Sequence, residues 1–426
     1  MDHNQSTDQV MVTAAKADLG DIQKRLDNGI VERIGGVLCE VATDKIIAFL
    51  REVVDSKQVR SEVFGVLRSG VSVLRTGTRL APPNFAASIL NFGVATMEFS
   101  VIERRVQNLE ERLKKTQEVL EQLNQKLDLA SYASFCTALD LAQNAFTMVK
   151  PENRESMAKQ AIERLAAARH HYSTLIEDRL DARGPAVDAY LATLTLALVA
   201  ETRCYLELEE LNVAKHRLES GLLDLERHVR TQLNTLLTSN PAAYLHPSLK
   251  GKIDLRRLTK VLRWLKPELD ENAVFEEQRH NLFNLAKQPD EWLKTLPKAV
   301  WDPVYDTPGN TVRSKKPWGG LETPELNFTL PKVGNLKVPS IRLPGLGQAN
   351  EAEVFARLGT ILETMETMIE DVSRLRAYHA EVRAISELGM SFHEWQQLES
   401  PTASSDEELS LMCIIPKIPL FVRASR

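Results

Sequence analysis

"LNFGVATMEFSVIERRVQNLEERLKKTQEVLEQL" occupies residues 90–123, and its reading decides the fold. The first half is apolar and carries a glycine, the second half is densely charged, and no proline separates them. Phe92, Ala95, Phe99, Ile102, Val106, Leu109, Leu113, Thr116, Leu120, Leu123 and Leu127 recur at alternating steps of three and four. That spacing is a heptad seam, which places one apolar stripe along a helix and favours left-handed coiling against a neighbour. Between the stripe residues stand charges of both signs, such as Glu103, Arg104, Glu110 and Lys114, as a solvated helix face requires. Pro82-Pro83 and Pro151 bracket the pattern and predict one helix from about Asn84 to about Val149.

Similar stripes recur along the chain. One runs from Leu194 through Glu201, Cys204, Lys215 and Leu225 to Leu236, between Gly184-Pro185 and Asn240-Pro241, and predicts a single long helix. Residues 152–182 carry Ala161, Leu165, Ala168, Tyr172 and Leu175, and the C-terminal part carries Val354, Leu358, Ile361, Met365, Met368, Val372, Leu375, His379 and Val382. Ile30–Asp55 and Val59–Arg75 also read as amphipathic helices. Short links between long helices make antiparallel neighbours, so the expected class is all-α, an elongated helical bundle or coiled coil. Residues 289–348 break the pattern with nine prolines from Pro289 to Pro344, and are expected as an extended strap, a free linker being the competing view. The expected organisation is a long-helix unit over 1–288, with an apolar hairpin at 60–102, then the strap over 289–348. A helix over 349–400 and a tail over 401–426 follow; the tail reads either as a docked edge segment or as a partner contact.

Composition narrows the function. Of 426 residues, 43% are apolar, 26% charged and 6% aromatic, which suits helix packing better than a ligand-lined barrel. A net charge of -5 gives no global attraction to nucleic acid, so none is expected as partner. Cys39, Cys136, Cys204 and Cys413 lie far apart with no CxxC pair, which suits a reducing compartment. The N-terminus shows neither a basic leader nor an apolar run, so a cytoplasmic location is expected, with membrane association as a variant. The uncharged stretch Leu80–Met97 contains two prolines and several polar residues, which opposes constitutive membrane insertion.

Familiar chemistry is not legible. "LKGK" (249–252) and "PGLG" (344–347) lack the spacing of a phosphate loop, and neither a nucleophile elbow nor HExxH occurs. One Glu277-x-x-His280 element is half of what a di-metal helical site needs. His170 and His171 are adjacent on a helix and point apart, His379 lies on a seam, and Glu201 and Lys215 read as register-setting polar seam residues. No catalytic residue, cofactor or metal is expected, and the chain reads as a non-enzyme.

Two stretches suggest action at a surface. "KIDLRRLTKVLRWLK" (252–266) puts Leu255, Leu258, Val261, Leu262 and Leu265 on one side of a helix. Lys252, Arg256, Arg257, Lys260, Arg263 and Lys266 take the other side, with Trp264 at the boundary. Such a helix either lies on an anionic membrane, docks an acidic partner, or packs its apolar side on its own fold. The second stretch, Val63–Ile102, carries Gly65, Gly70, Gly77 and Gly93, although glycine costs a helix about 1 kcal/mol against alanine. Its expected tip residues for a membrane or partner are Phe64, Val66, Leu67, Gly70, Val73, Phe85, Ile89, Leu90, Phe92, Gly93 and Phe99, with buried packing at the end of the bundle as the competing and more common outcome.

On this layout, an apolar hairpin at the head of long coiled helices, the chain resembles the helical pore-forming toxins. The resemblance rests on architecture over about residues 60–240, with no shared motif, and transfers no functional residue. It implies a membrane-active effector whose coiled stalk holds a glycine-bearing hairpin. The alternative is a coiled-coil scaffold or complex subunit that binds other proteins, or itself, through helical seams.

Overall fold

The computed structural model describes residues 24–26, 28–52, 88–122, 129–182, 187–238, 240–250, 253–288, 291–301, 351–396 and 412–416. These residues are mostly helical, as the seams require. They divide into two compact units, residues 1–235 with 364–426, and residues 236–363.

The first unit begins with a feature the helical reading of Ile30–Asp55 missed. This stretch forms three strands, β1 (Val31–Ile34), β2 (Val37–Glu40) and β3 (Lys45–Glu52). The reason is local: Gly35-Gly36 sits between two runs rich in β-branched residues, and Gly35 adopts φ +55°, the left-handed conformation a tight hairpin turn needs. Asp44, at φ 52°, turns β2 into β3. The apolar C-terminal segment β4 (Met412–Pro416) docks as an edge, and all neighbours in the order β1-β2-β3-β4 are antiparallel. Leu26, Val31, Leu38, Ala48, Leu50 and Phe92 form a core on this sheet.

The single helix expected over residues 84–149 is also corrected. Helix α1 starts only at Phe99 and runs to Gln122, and α2 covers Leu129–Thr147. They are antiparallel: the rings of Phe99 and Phe146, at the start of one and the end of the other, stack at 5.5 Å, and the Tyr132 hydroxyl donates to the Val106 carbonyl at 3.1 Å. The α1 stripe does face inward, with Ile102, Val106, Leu109, Leu113 and Thr116 all buried. Helix α3 (Pro151–Ala182) returns along α2, with Ser131 and His171 2.7 Å apart. Helix α4 (Val187–Glu207) then packs on α3 and is buried around nearly its whole circumference.

The long helix expected from Pro185 to Asn240 is two helices, because Glu209 at φ 57° breaks it without any glycine or proline. Helix α5 follows at Leu211–Leu236. At Gly221 it lies against α4, where an added Cβ would be 2.5 Å from the Leu198 side chain. In the second unit, α6 (Leu255–Leu265) and α7 (Glu271–Lys287) form a helical hairpin, each capped by an aspartate. Asp254 accepts from the Arg257 N–H at 2.8 Å and Asp270 from the Ala273 N–H at 2.9 Å, satisfying donors a helix start leaves open. The short α8 (Glu291–Lys294) supplies Trp292, whose ring meets that of His246 edge-on, while Phe355 stacks on the His246 ring at 3.6 Å. Helix α9 (Glu351–Leu388) contributes to both units, and α10 (Phe392–Gln396) follows it in the first. Of its predicted stripe, all but the half-buried His379 are buried. The strap expected at 289–348 lies mainly outside the described residues, apart from α8 and the turn at Lys298–Trp301.

Candidate functional site

Among the expected tip residues, Phe64, Val66, Leu67, Gly70, Val73 and Phe85 lie outside the described residues. Ile89, Leu90, Phe92 and Gly93 do not stand free: every residue from Ser88 to Met97 is buried, while Phe99 is half-buried. Nor is this stretch helical, apart from a single 3-10 turn at Val94–Thr96. Gly93 adopts φ 86°, which ends any regular element there.

What holds the stretch is one polar face of α9. Asp371 accepts from the Ser88 hydroxyl at 2.5 Å and from the Ile89 N–H at 3.0 Å. Arg374 donates to the Leu90 carbonyl, and the Tyr378 hydroxyl donates to the Asn91 carbonyl at 2.7 Å. Glu381 accepts from the Val94 N–H at 2.7 Å and, through its other oxygen, from the Trp395 indole N–H at 2.6 Å. The steps 371, 374, 378 and 381 are three, four and three, so these side chains share one helix face. Ten helical residues rise about 15 Å. Along that length the four side chains meet backbone groups of the segment from Ile89 to Val94. The match lets an irregular segment find a partner at each step, which is how buried backbone polar groups avoid being stranded.

The charges here are compensated. Arg33 grips both Glu370 oxygens, at 2.8 and 3.1 Å, and Arg374 adds a bond at 2.8 Å. Burial pushes the Glu370 carboxyl up, but the two guanidiniums outweigh it and hold the group below the ordinary range. Burial dominates at Asp371, pushing its carboxyl up to about 6 although the side chain keeps some exposed surface. Burial likewise raises Glu381, against Arg51 and the indole. Deeper among the helices, Glu201 is fully buried between Arg169 at 3.0 Å and Arg217 at 2.7 Å. This Glu201 pairing sits on the predicted seam.

The basic helix reads differently. Leu258, Thr259 and Val261 of α6 are buried, and Leu255, Leu262, Trp264 and Leu265 are half-buried, so its apolar side is spent within its own unit. Arg256, Lys260, Arg263 and Lys266 are exposed and Arg257 is half-buried, while Lys252 lies outside the described residues. The exposed cations Arg256, Lys260 and Arg263 step by four and three along α6, and Lys266 follows at its C-cap, so that the four form a ridge about 15 Å long. Arg263 pairs with Glu271 across the turn at 2.7 Å. Arg256, Lys260 and Lys266 have no carboxylate partner among the described residues. Like charges at these spacings oppose the helix by about 0.2–0.5 kcal/mol per pair, a cost that a bound anion relieves.

The remaining candidates stay apart. His170 and Glu277 are exposed, as is His280, and His171 is taken by Ser131. Burial lowers the basicity of His379, and raises the Cys204 thiol towards its inert neutral form. His393 packs against Glu209, whose carboxylate also accepts the Phe392 and His393 N–H groups and so caps α10. Among the described residues no group of three or more His, Cys, Asp or Glu is placed to hold a metal ion, and no helix is long and apolar enough to cross a membrane. The polar face of α9 escaped sequence reading because its residues alternate with a seam on the same helix; the i, i+3, i+7, i+10 spacing of Asp371, Arg374, Tyr378 and Glu381 was the available signal. No protein-family model, curated protein or solved structure matches the chain.

Proposed function

We propose that this chain is a non-catalytic helical scaffold that docks an acidic protein partner through the cationic ridge of α6. Its long helices bundle along their seams as coiled helices. One observation carries the reading: Arg256, Lys260 and Lys266 are exposed without carboxylate partners among the described residues, on a helix whose apolar face is already buried or half-buried. An anionic ligand therefore gains charge pairing without unfolding anything, and electrostatic complementarity of this kind sets on-rate and partner choice. An acidic protein suits the ridge better than an anionic bilayer does. The apolar side needed to enter a bilayer interface is committed elsewhere, and Glu268, Asp270 and Glu271 follow directly. The membrane-active reading also loses Ile89, Leu90, Phe92 and Gly93 to the core.

The test uses a poly-glutamate peptide as probe, titrated into the full chain and into the triple variant Arg256→Glu, Lys260→Glu, Lys266→Glu at low and physiological salt. Saturable binding to the wild type that weakens with salt and is lost in the variant supports the proposal. Absence of binding at low salt, equal binding by both proteins, or release of dye from phosphatidylserine vesicles by the wild type overturns it.

A further inference from the structure

The sheet of the first unit is completed from the far end of the chain. β3 pairs with β2 along one edge, and its other edge, over Ala48–Glu52, is covered by β4. The register sets Ala48 opposite Pro416, Phe49 opposite Ile415, Leu50 opposite Ile414, Arg51 opposite Cys413 and Glu52 opposite Met412. Ala48, Phe49 and Leu50 are each no more than 2% exposed. Without β4, the edge of a buried apolar strand would lie open, which is the arrangement that most readily templates pairing with another chain.

The connection does not dictate which molecule supplies that strand. β4 is the last element described, and residues 397–411 join it to α10. That stretch, "QLESPTASSDEELSL" over 397–411, is polar and acidic. Fully extended, it reaches up to about 50 Å, enough to meet the β3 edge of its own chain or of a neighbour. During synthesis β1 to β3 emerge long before residue 412, so the edge waits unpaired while the helices between are made.

We propose that the outer edge of β3 is a strand-accepting site, and that its trans occupant is Met412–Pro416 of a second copy of this chain. Reciprocal exchange then yields a two-fold dimer with the same ladder in each half. The pairs formed in cis and in trans are identical, so the balance is set by the effective concentration the tether gives the cis strand, on the order of millimolar. Chains refolded together at comparable concentration exchange strands, and chains refolded dilute close on themselves. This site is independent of the α6 ridge.

The experiment refolds the full chain over a dilution series and measures mass by light scattering. Alongside, a chain ending at residue 411 is titrated with a fluorescent peptide spanning residues 410–420. Expected are a dimer fraction that rises with refolding concentration, saturable peptide binding by the shortened chain, and no binding by the full-length monomer. Because the shortened chain can fail to fold, the full-length double variant Ile414→Pro, Ile415→Pro serves as a second arm. It removes a ladder donor whichever way the strand faces, and it is expected to stay monomeric at every concentration. Full-length chains that remain monomeric after concentrated refolding overturn the proposal, as does a dimer that the double-proline variant still forms. A folded shortened chain that ignores the peptide overturns it too.

Discussion

The Arg374 guanidinium lies 4.1 Å from the centroid of the Phe92 ring while its Nε holds Glu370 at 2.8 Å. Arg33 covers the same ring from 5.3 Å, so an aromatic side chain sits beneath two cations that share one carboxylate. All of these groups are nearly or fully out of water, where cation–π contacts and ion pairs strengthen and unpaired charges are costly. Replacing Arg374 by methionine keeps volume but removes its bond to the Leu90 carbonyl and half of the Glu370 pairing. The expected loss is about 3–5 kcal/mol in urea unfolding. Lys114→Ala breaks the exposed pair with Glu110 and should cost about 0.5 kcal/mol or less. Comparable losses for the two would mean that the buried arrangement contributes nothing special.

Asp371 and Glu370 are neighbours whose pKa values move in opposite directions, and their pH signatures separate. The raised Asp371 value, about 6, means the folded chain binds that proton more readily than the unfolded chain. Its contribution is adverse above about 6 and improves as pH falls towards the ordinary aspartate value near about 4. The lowered Glu370 contributes stability above the ordinary glutamate value, and that contribution is lost as pH drops through the folded value. Asp371→Asn removes the first effect and keeps an acceptor for Ser88 and Ile89. Between pH of about 7 and about 5, the wild type should therefore gain stability relative to this variant, read from paired thermal melts. A constant difference across that window contradicts the assignment.

How much of this was legible in the sequence depended on periodicity. The stripe from Ile102 to Thr116 and the stripe from Val354 to Val382 faced inward as spaced, because a heptad repeat has few competing interpretations. The amphipathic division of α6 was readable for the same reason. Residues 88–97 were not, since an apolar run without a period fits a helix, a strand or a buried coil equally well. Gly35-Gly36 between Ile34 and Val37 did signal a hairpin, but the short strands beside it also satisfied a helical stripe. The break at Glu209 gave no sequence signal, because its cause is a tertiary one: its carboxylate is recruited to the start of α10.

Gly35 and Gly29 both have positive φ, at 55° and 70°, yet their surroundings differ completely. A Cβ at Gly29 meets nothing within 4 Å, whereas at Gly35 it would fall 2.2 Å from the Ser373 carbonyl oxygen. Gly29→Ala should therefore cost only the left-handed penalty, about 1–2 kcal/mol. Gly35→Ala must also push the β1–β2 hairpin off the α9 backbone, since a backbone carbonyl cannot rotate aside. Its loss should exceed that of Gly29→Ala by about 2 kcal/mol or more, because overpacking adds to the conformational strain. Equal melting shifts in the two variants would show that the hairpin is not seated on α9 as described.

Gly221 makes a contrasting case, because what opposes its Cβ is a flexible side chain. Leu198 terminal carbons stand 2.5 Å from the built position, so alanine at 221 collides with the end of a rotatable group. In the middle of α5, alanine also gains about 1 kcal/mol of helix propensity over glycine. With Leu198 intact, the collision and the propensity gain oppose each other, and Gly221→Ala should be destabilising by about 1–2 kcal/mol. Leu198→Ala alone opens a cavity in a fully packed place and should cost about 2–5 kcal/mol. Combined, the alanine at 221 partly fills the space that Leu198 vacates and keeps its helix preference, so the double variant should be more stable than Leu198→Ala alone. The double variant must then lose less than the sum of the two single losses, a departure from additivity that a double-mutant cycle in urea measures directly. Additive losses would place these two helix faces apart rather than in contact.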